Sequence, residues 1–190
     1  PDKTTYPINE TMLHNGPPHS SNDAYAFAKR MLEIHSKAYQ EQYNDNFICV
    51  IPTNIYGEND NYHLENAHVI PALIHKCYLA KKENNEFIVC GSGKPLRQFI
   101  YAQDLAELIM WTLEEYHEKE SLILSVNEKE EISIREVATL IAREFNYEQR
   151  MRFDTSFADG QFKKTADNSK LMKYIPTFEF TSMKNGLQKS

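Results

Sequence analysis

Five apolar residues run together at Phe47-Ile48-Cys49-Val50-Ile51, and no other feature restricts the fold as strongly. A strand that is apolar on both faces needs cover on both, as in a parallel sheet flanked by helices. Further strands are at hand: Phe87-Ile88-Val89-Cys90, residues 122–126 and a last short one at Arg152-Phe153-Asp154, with Gln98-Phe99-Ile100-Tyr101 as a short extended stretch. Between them, apolar residues recur at helical spacing. Phe27, Met31, Ile34 and Ala38 stripe a helix over residues 24–43 and read as core-facing. Ile70, Leu73, Ile74 and Cys77 stripe a second, running to Lys82 with Pro71 in its first turn. Asp104 reads as the cap of a third, with Glu107 three residues later and Leu105, Leu108, Ile109, Leu113 and Tyr116 as its core side. Ser133 and Glu136 form a capping box before Val137, Ala138, Ile141 and Phe145, and residues 181–190 begin another helix. Strands that alternate with helices give the α/β class. Residues 1–20, rich in Pro, Asn, His and Gly, read as a loop.

Composition narrows the partners. A formal net charge of −6 argues against nucleic acid, because tracking phosphates needs a dense basic surface. No apolar run reaches membrane-spanning length and no leader opens the chain, so a cytoplasmic protein is expected. Cys49, Cys77 and Cys90 read as reduced thiols. No metal is expected: His63 and His68 flank a polar loop without a third ligand at a usual spacing. The six glycines, at 16, 57, 91, 93, 160 and 186, do not form the Gly-rich turn of a dinucleotide fold.

The chemistry begins at Tyr25 and Lys29, four apart on one helix face, behind Asn22 or Asp23 as cap. At about 4 Å and an effective dielectric near 20, a Lys ammonium stabilises a phenolate by roughly 4 kcal/mol, about three pKa units. That suits proton transfer, although the same spacing also serves an ordinary surface contact. Pro52-Thr53-Asn54-Ile55-Tyr56-Gly57 follows the first strand, where a parallel sheet hands its loop to a ligand.

A helix with Tyr-x-x-x-Lys, then a strand ending in Pro-Thr-Asn-x-Tyr-Gly, resembles the extended short-chain dehydrogenase/reductases. Residues 67–74 (Ala-His-Val-Ile-Pro-Ala-Leu-Ile), 91–100 (Gly-Ser-Gly-Lys-Pro-Leu-Arg-Gln-Phe-Ile), 159–164 (Asp-Gly-Gln-Phe-Lys-Lys) and the opening 1–8 resemble, within that group, the GDP-L-fucose synthase family. The resemblance implies the later part of a Rossmann-type doubly wound parallel sheet plus a smaller mixed α/β substrate-binding domain. Residues 1–60 then form the second half of an NADP-binding domain. Residues 61–190 are mainly the GDP-sugar domain, with 98–126 returning to the first. The Gly-rich turn, the first strands and a catalytic Ser and Cys precede the matching region in that family, so the chain is expected to be a later portion of a longer enzyme.

The resemblance implies 3,5-epimerisation and 4-reduction of GDP-4-keto-6-deoxy-D-mannose with NADPH. Tyr25 matches the proton donor for reduction, and Lys29 holds the cofactor ribose. His68 matches one acid/base of the epimerisation, and imidazole suits it by titrating near neutrality. Read without the resemblance, His68 is more readily a structural hydrogen-bonder than an acid/base. Pro52, Thr53, Asn54, Ile55, Lys29 and His68 are implied NADP contacts. Lys76, Cys90, Arg97, Asp159 and Lys164 are implied substrate contacts, while a surface salt bridge remains the plain reading of Arg97. Two departures stand out: Cys90 where the family usually has Trp, and Glu58-Asn59 where Pro-His is common. A homodimer through the helix of Tyr25 and Lys29 is also implied. Two other readings stay open: another nucleotide-sugar epimerase or dehydratase of the extended group, and a non-catalytic truncated piece that binds GDP-sugar or pairs with an intact subunit.

Overall fold

The structure, a computed structural model, describes Pro1 and residues 4–190, with Ser21 in backbone only. Asp2 and Lys3 of the opening motif lie outside the described residues. Four two-stranded ladders organise the described residues. β1 (Val50–Pro52) pairs in parallel with β6 (Leu122–Leu124), and β2 (Asn54–Tyr56) with β5 (Phe99–Tyr101). β3 (Phe87–Cys90) pairs in parallel with β8 (Met151–Asp154), while β4 (Leu96–Arg97) runs antiparallel to β7 (Ile132–Ser133). The helices are α1 (Asp23–Tyr43), α2 (Val69–Lys82), α3 (Ala102–Glu115), α4 (Ile134–Glu144), α5 (Ser169–Tyr174) and α6 (Met183–Lys189).

Two cores form. One gathers Ile70, Leu73 and Cys77 of α2, Phe87 and Val89 of β3, and Val137, Ala138 and Ile141 of α4. The other gathers Ile100, Leu105 and Leu108 with Leu122, Leu124 and Leu171. The capping box at Ser133 and Glu136 is present in full, with Ser133 accepting from the Glu136 N–H. No helix among the described residues is long and apolar enough to cross a membrane.

Four expectations need correction. The first strand begins at Val50, not Phe47, because the Gln40 side-chain amide takes the Phe47 carbonyl and Phe47 packs edge-on to Tyr39 instead. Asp104 does not cap α3, whose N-cap is Tyr101; its buried carboxylate accepts from the Thr181 N–H and hydroxyl, both at 2.7 Å. The core side of α3 is Leu105, Leu108, Thr112 and Tyr116, and Leu113 is 75% exposed. The stripe of α1 does not face a core of this chain: Phe27, Met31 and Ile34 are exposed, and Glu33 and Gln40 are the buried residues. The opening segment is also more ordered than a plain loop. Ile8 bridges to Ala166, and Glu10–Met12 form a 3-10 turn capped by Asn9.

Candidate active site

The Thr53 N–H donates to the Leu124 carbonyl at 3.2 Å, so the β1 and β6 ladder continues one residue beyond the strand. This sets residues 53–55, where β1 passes into β2, at the carboxyl end of β1, where parallel sheets bind ligands. Asn54 is fastened through its side-chain amide to the Gln98 carbonyl at 2.8 Å. Gln98 is itself locked, donating to Val126 and Ala166 carbonyls and accepting from the Ala166 N–H. Within this frame the Thr53 Oγ1 is buried and has no hydrogen-bond partner among the described residues. A buried hydroxyl without a partner costs about 1–3 kcal/mol, which marks the position as one built for something further.

A cleft of about 810 Å³ opens over this loop. Tyr25, at the start of α1, lines it together with Pro52, Thr53, Asn54 and Ile55. His68 lines it from the head of α2, where its side chain makes no capping bond and stays exposed. Cys90, Arg97 and Asp159 close the far side. Segments more than a hundred residues apart in sequence thus share one wall.

Lys29 places its Nζ 5.6 Å from the centroid of the Tyr25 ring, and Tyr25 is 60% exposed. Both side chains stand open to water, which screens their attraction. Lys76 stands behind the cleft wall with its Nζ 3.9 Å from Cys90 Sγ.

Arg97 donates through Nη1 to the Leu96 carbonyl at 2.7 Å. No carboxylate among the described residues lies within ion-pair distance of it, so the plain salt-bridge reading finds no partner. Burial lowers its pKa, against the opposing pull of Glu131 and Tyr6. Lys164 is exposed as a residue and lies outside the cleft wall, yet desolvation around its ammonium and then the charge of Arg97 pull its pKa down. Asp159 is held rather than free: it accepts from the Ser92 N–H at 2.8 Å and the Ser92 hydroxyl at 2.6 Å. Those two bonds hold its carboxyl below the usual range. Gly91 stands at φ +87°, and a Cβ there would sit 2.6 Å from the Asp159 Oδ1, so the turn needs glycine.

The residues missed at the sequence level are those that hold the others. Ser92, Gln98 and Gln161 act through long-range bonds to Asp159, Asn54 with Ala166, and Tyr6, at separations no periodicity reports. Ser92 alone carried a signal, its place between two glycines.

Residues 1–126 match the NAD dependent epimerase/dehydratase family. The whole chain is 56% identical to a GDP-L-fucose synthase of Dictyostelium discoideum, of which it covers 59%. It is 46% identical to a probable GDP-L-fucose synthase of Drosophila melanogaster, of which it covers 61%. A crystal structure of a GDP-L-fucose synthetase from Naegleria fowleri bound to NADP superposes with a TM-score of 0.93 at 47% identity, over 99% of this chain and 61% of that one. The chain therefore spans about three-fifths of the length of these relatives. The α/β class expected from the alternation of strands and helices, and the Rossmann type implied by the family resemblance, are the class found.

Proposed function

This chain belongs to the NAD dependent epimerase/dehydratase family, and we propose that it is the portion of a GDP-L-fucose synthase that brings Tyr25, Lys29 and His68 to the active site. The observation that carries this reading is the single cleft onto which the 52–55 loop, Tyr25, His68 and Arg97 converge. NADP(H) fits the loop side. Thr53 and the exposed Ile55 line it with Pro52, Asn54 and His68, and Lys29, outside the lining, completes the contacts from the next turn of α1. NADPH, when bound, supplies the reducing equivalent for the C4 carbonyl of the sugar.

The chain's own residues handle protons and charge. Tyr25 donates a proton to the C4 oxygen as negative charge gathers there, and Lys29 on the next turn favours the phenolate left behind. Epimerisation at C3 and C5 needs a proton removed beside the ketone and one returned on the opposite face. His68 serves one of those faces. Arg97 and Lys164, which form no ion pair among the described residues, neutralise the diphosphate of GDP-4-keto-6-deoxy-D-mannose, with Lys76 beside Cys90. Cys90 forms the sugar-side wall, and Asp159 contributes by holding the turn at Ser92.

Residues 1–60 together with 98–126 belong to the cofactor domain in this reading, and most of the remainder to the substrate domain. The exposed apolar side chains of α1 favour a homodimer through that helix. The same observation supports a second reading, in which the chain pairs with another subunit without catalysing turnover. The unpaired thiols suit a reducing cytoplasm. The test is NADPH oxidation by the polypeptide carrying this chain, with GDP-4-keto-6-deoxy-D-mannose. Turnover that disappears in Tyr25→Phe is expected. Unchanged turnover in that variant removes Tyr25 from the mechanism, and preference for a uridine or thymidine sugar overturns the substrate.

A further inference from the structure

Arg97 and Lys164 form a positive spot in a chain whose formal net charge is −6, and among the described residues neither has a carboxylate within ion-pair distance, Glu131 acting on Arg97 only from further off. The neighbouring Lys163 is paired, at 3.5 Å from Glu131 and 3.7 Å from Glu128, and Glu131 also accepts from the Thr165 hydroxyl. Lys164 has no such partner among the described residues. The 160–167 segment that carries it lies against Arg97: a Cβ on Gly160 would stand 3.7 Å from Arg97 Nη2. The next residue, Gln161, donates through Nε2 to the Tyr6 hydroxyl at 2.6 Å. The opening segment is docked along the same stretch, with the Ile8 N–H on the Thr165 carbonyl and the Asp167 N–H on the Ile8 carbonyl, both at 2.8 Å. Tyr6 is therefore held at a fixed place within electrostatic reach of Arg97, which in turn acts on Lys164.

The direction of the Gln161 bond decides what Tyr6 can do. A side-chain amide nitrogen only donates, so the phenol oxygen accepts and keeps its own proton for another partner. No acceptor among the described residues takes that proton. An O–H with a free proton near two cations that form no ion pair is the donor set that a phosphate oxygen completes.

We propose that the Tyr6 hydroxyl is a third ligand of the substrate diphosphate, donating to a phosphate oxygen held between Arg97 and Lys164, with Gln161 as the positioning residue that orients it. The assignment rests on the nucleoside-diphosphate-sugar reading given above. It adds a residue from the opening segment to a site otherwise built from the 90s and 160s, and it makes phosphate recognition depend on the docking of residues 6–8.

The test is calorimetric titration of GDP into the chain and its variants, with thermal melting as the control for folding. Tyr6→Phe removes one oxygen and leaves the ring, and a hydrogen bond to a charged group is strong enough that GDP affinity should fall roughly tenfold. Gln161→Leu should weaken GDP by a smaller factor. In the Tyr6→Phe background it should have no further effect, because its role runs through the phenol; a purely structural role would add instead. Equal GDP affinity in wild type and Tyr6→Phe, with unchanged melting, overturns the assignment and leaves the GDP-sugar reading intact. Additive losses remove Gln161 from the proposal. Absence of GDP binding by the wild-type chain overturns both readings together.

Discussion

Glu33 shows how far a single residue can depart from the pattern it sits in. It falls between the apolar positions of α1, yet it is 4% exposed and holds His14 at 2.8 Å and Lys37 at 2.6 Å. Burial raises its pKa, but the hydrogen bonds from Lys37 and His14 outweigh burial and the net shift is downward. A carboxyl with a depressed folded pKa adds stability above its unfolded value, about 4.3, and loses it as pH falls through the folded pKa. Glu33→Gln should therefore lower the melting temperature at neutral pH, by the equivalent of about 1–3 kcal/mol for charged hydrogen bonds. The gap to wild type should close below about pH 4. A gap independent of pH would mean that packing, not charge, is what Glu33 contributes. Gly93 gives a second residue-scale expectation. It stands at φ +74°, and a Cβ there would lie 2.5 Å from the Phe153 ring, over which Arg135 stacks at 3.7 Å. Gly93→Ala should destabilise by about 1 kcal/mol for the backbone alone, before any displacement of Phe153, as read by denaturant unfolding.

At the scale of elements, legibility follows how local the determining forces are. α4 starts where its capping box says because the box depends on neighbours within four positions, and β3 spans the residues the apolar run indicated although its partner β8 is distant. β1 starts late and Asp104 caps nothing because distant groups, Gln40 and Thr181, claim those atoms. α6 makes the same point in energetic terms. Gly186 in mid-helix invites Gly→Ala, a change usually worth about 1 kcal/mol of helix stability. Here a Cβ would approach the Tyr56 Cζ to 2.8 Å, and Tyr56 is fully buried with Phe99 and Tyr101 around it. Gly186→Ala should therefore lower the melting temperature where the helix rule says it should rise. The stripe of α1 was readable, but its direction was not. Periodicity finds an apolar face without saying which body covers it.

For the molecule as a whole, the site was readable as motifs and unreadable as geometry. Tyr25, Thr53, His68 and Arg97 were each marked by their local run, but their meeting in one cleft is a property of the parallel pairing of β1 with β6 and β2 with β5. Thr53 carries a consequence of that assembly for the stability of the entire fold. Its hydroxyl is buried without a partner, a state that costs about 1–3 kcal/mol, while its backbone N–H is satisfied by Leu124. Thr53→Val keeps the branched shape and removes the unsatisfied atom. If the hydroxyl is retained for the cofactor, the variant should melt higher than wild type and bind NADPH more weakly, the opposing shifts expected where function and stability compete. Thermal melting and an NADPH titration on the polypeptide carrying this chain read the two effects separately. Higher melting with unchanged NADPH affinity would place the hydroxyl outside cofactor recognition. Lower melting would mean that a bond to the Thr53 hydroxyl already exists in solution, and the loop would then be stabilised from within.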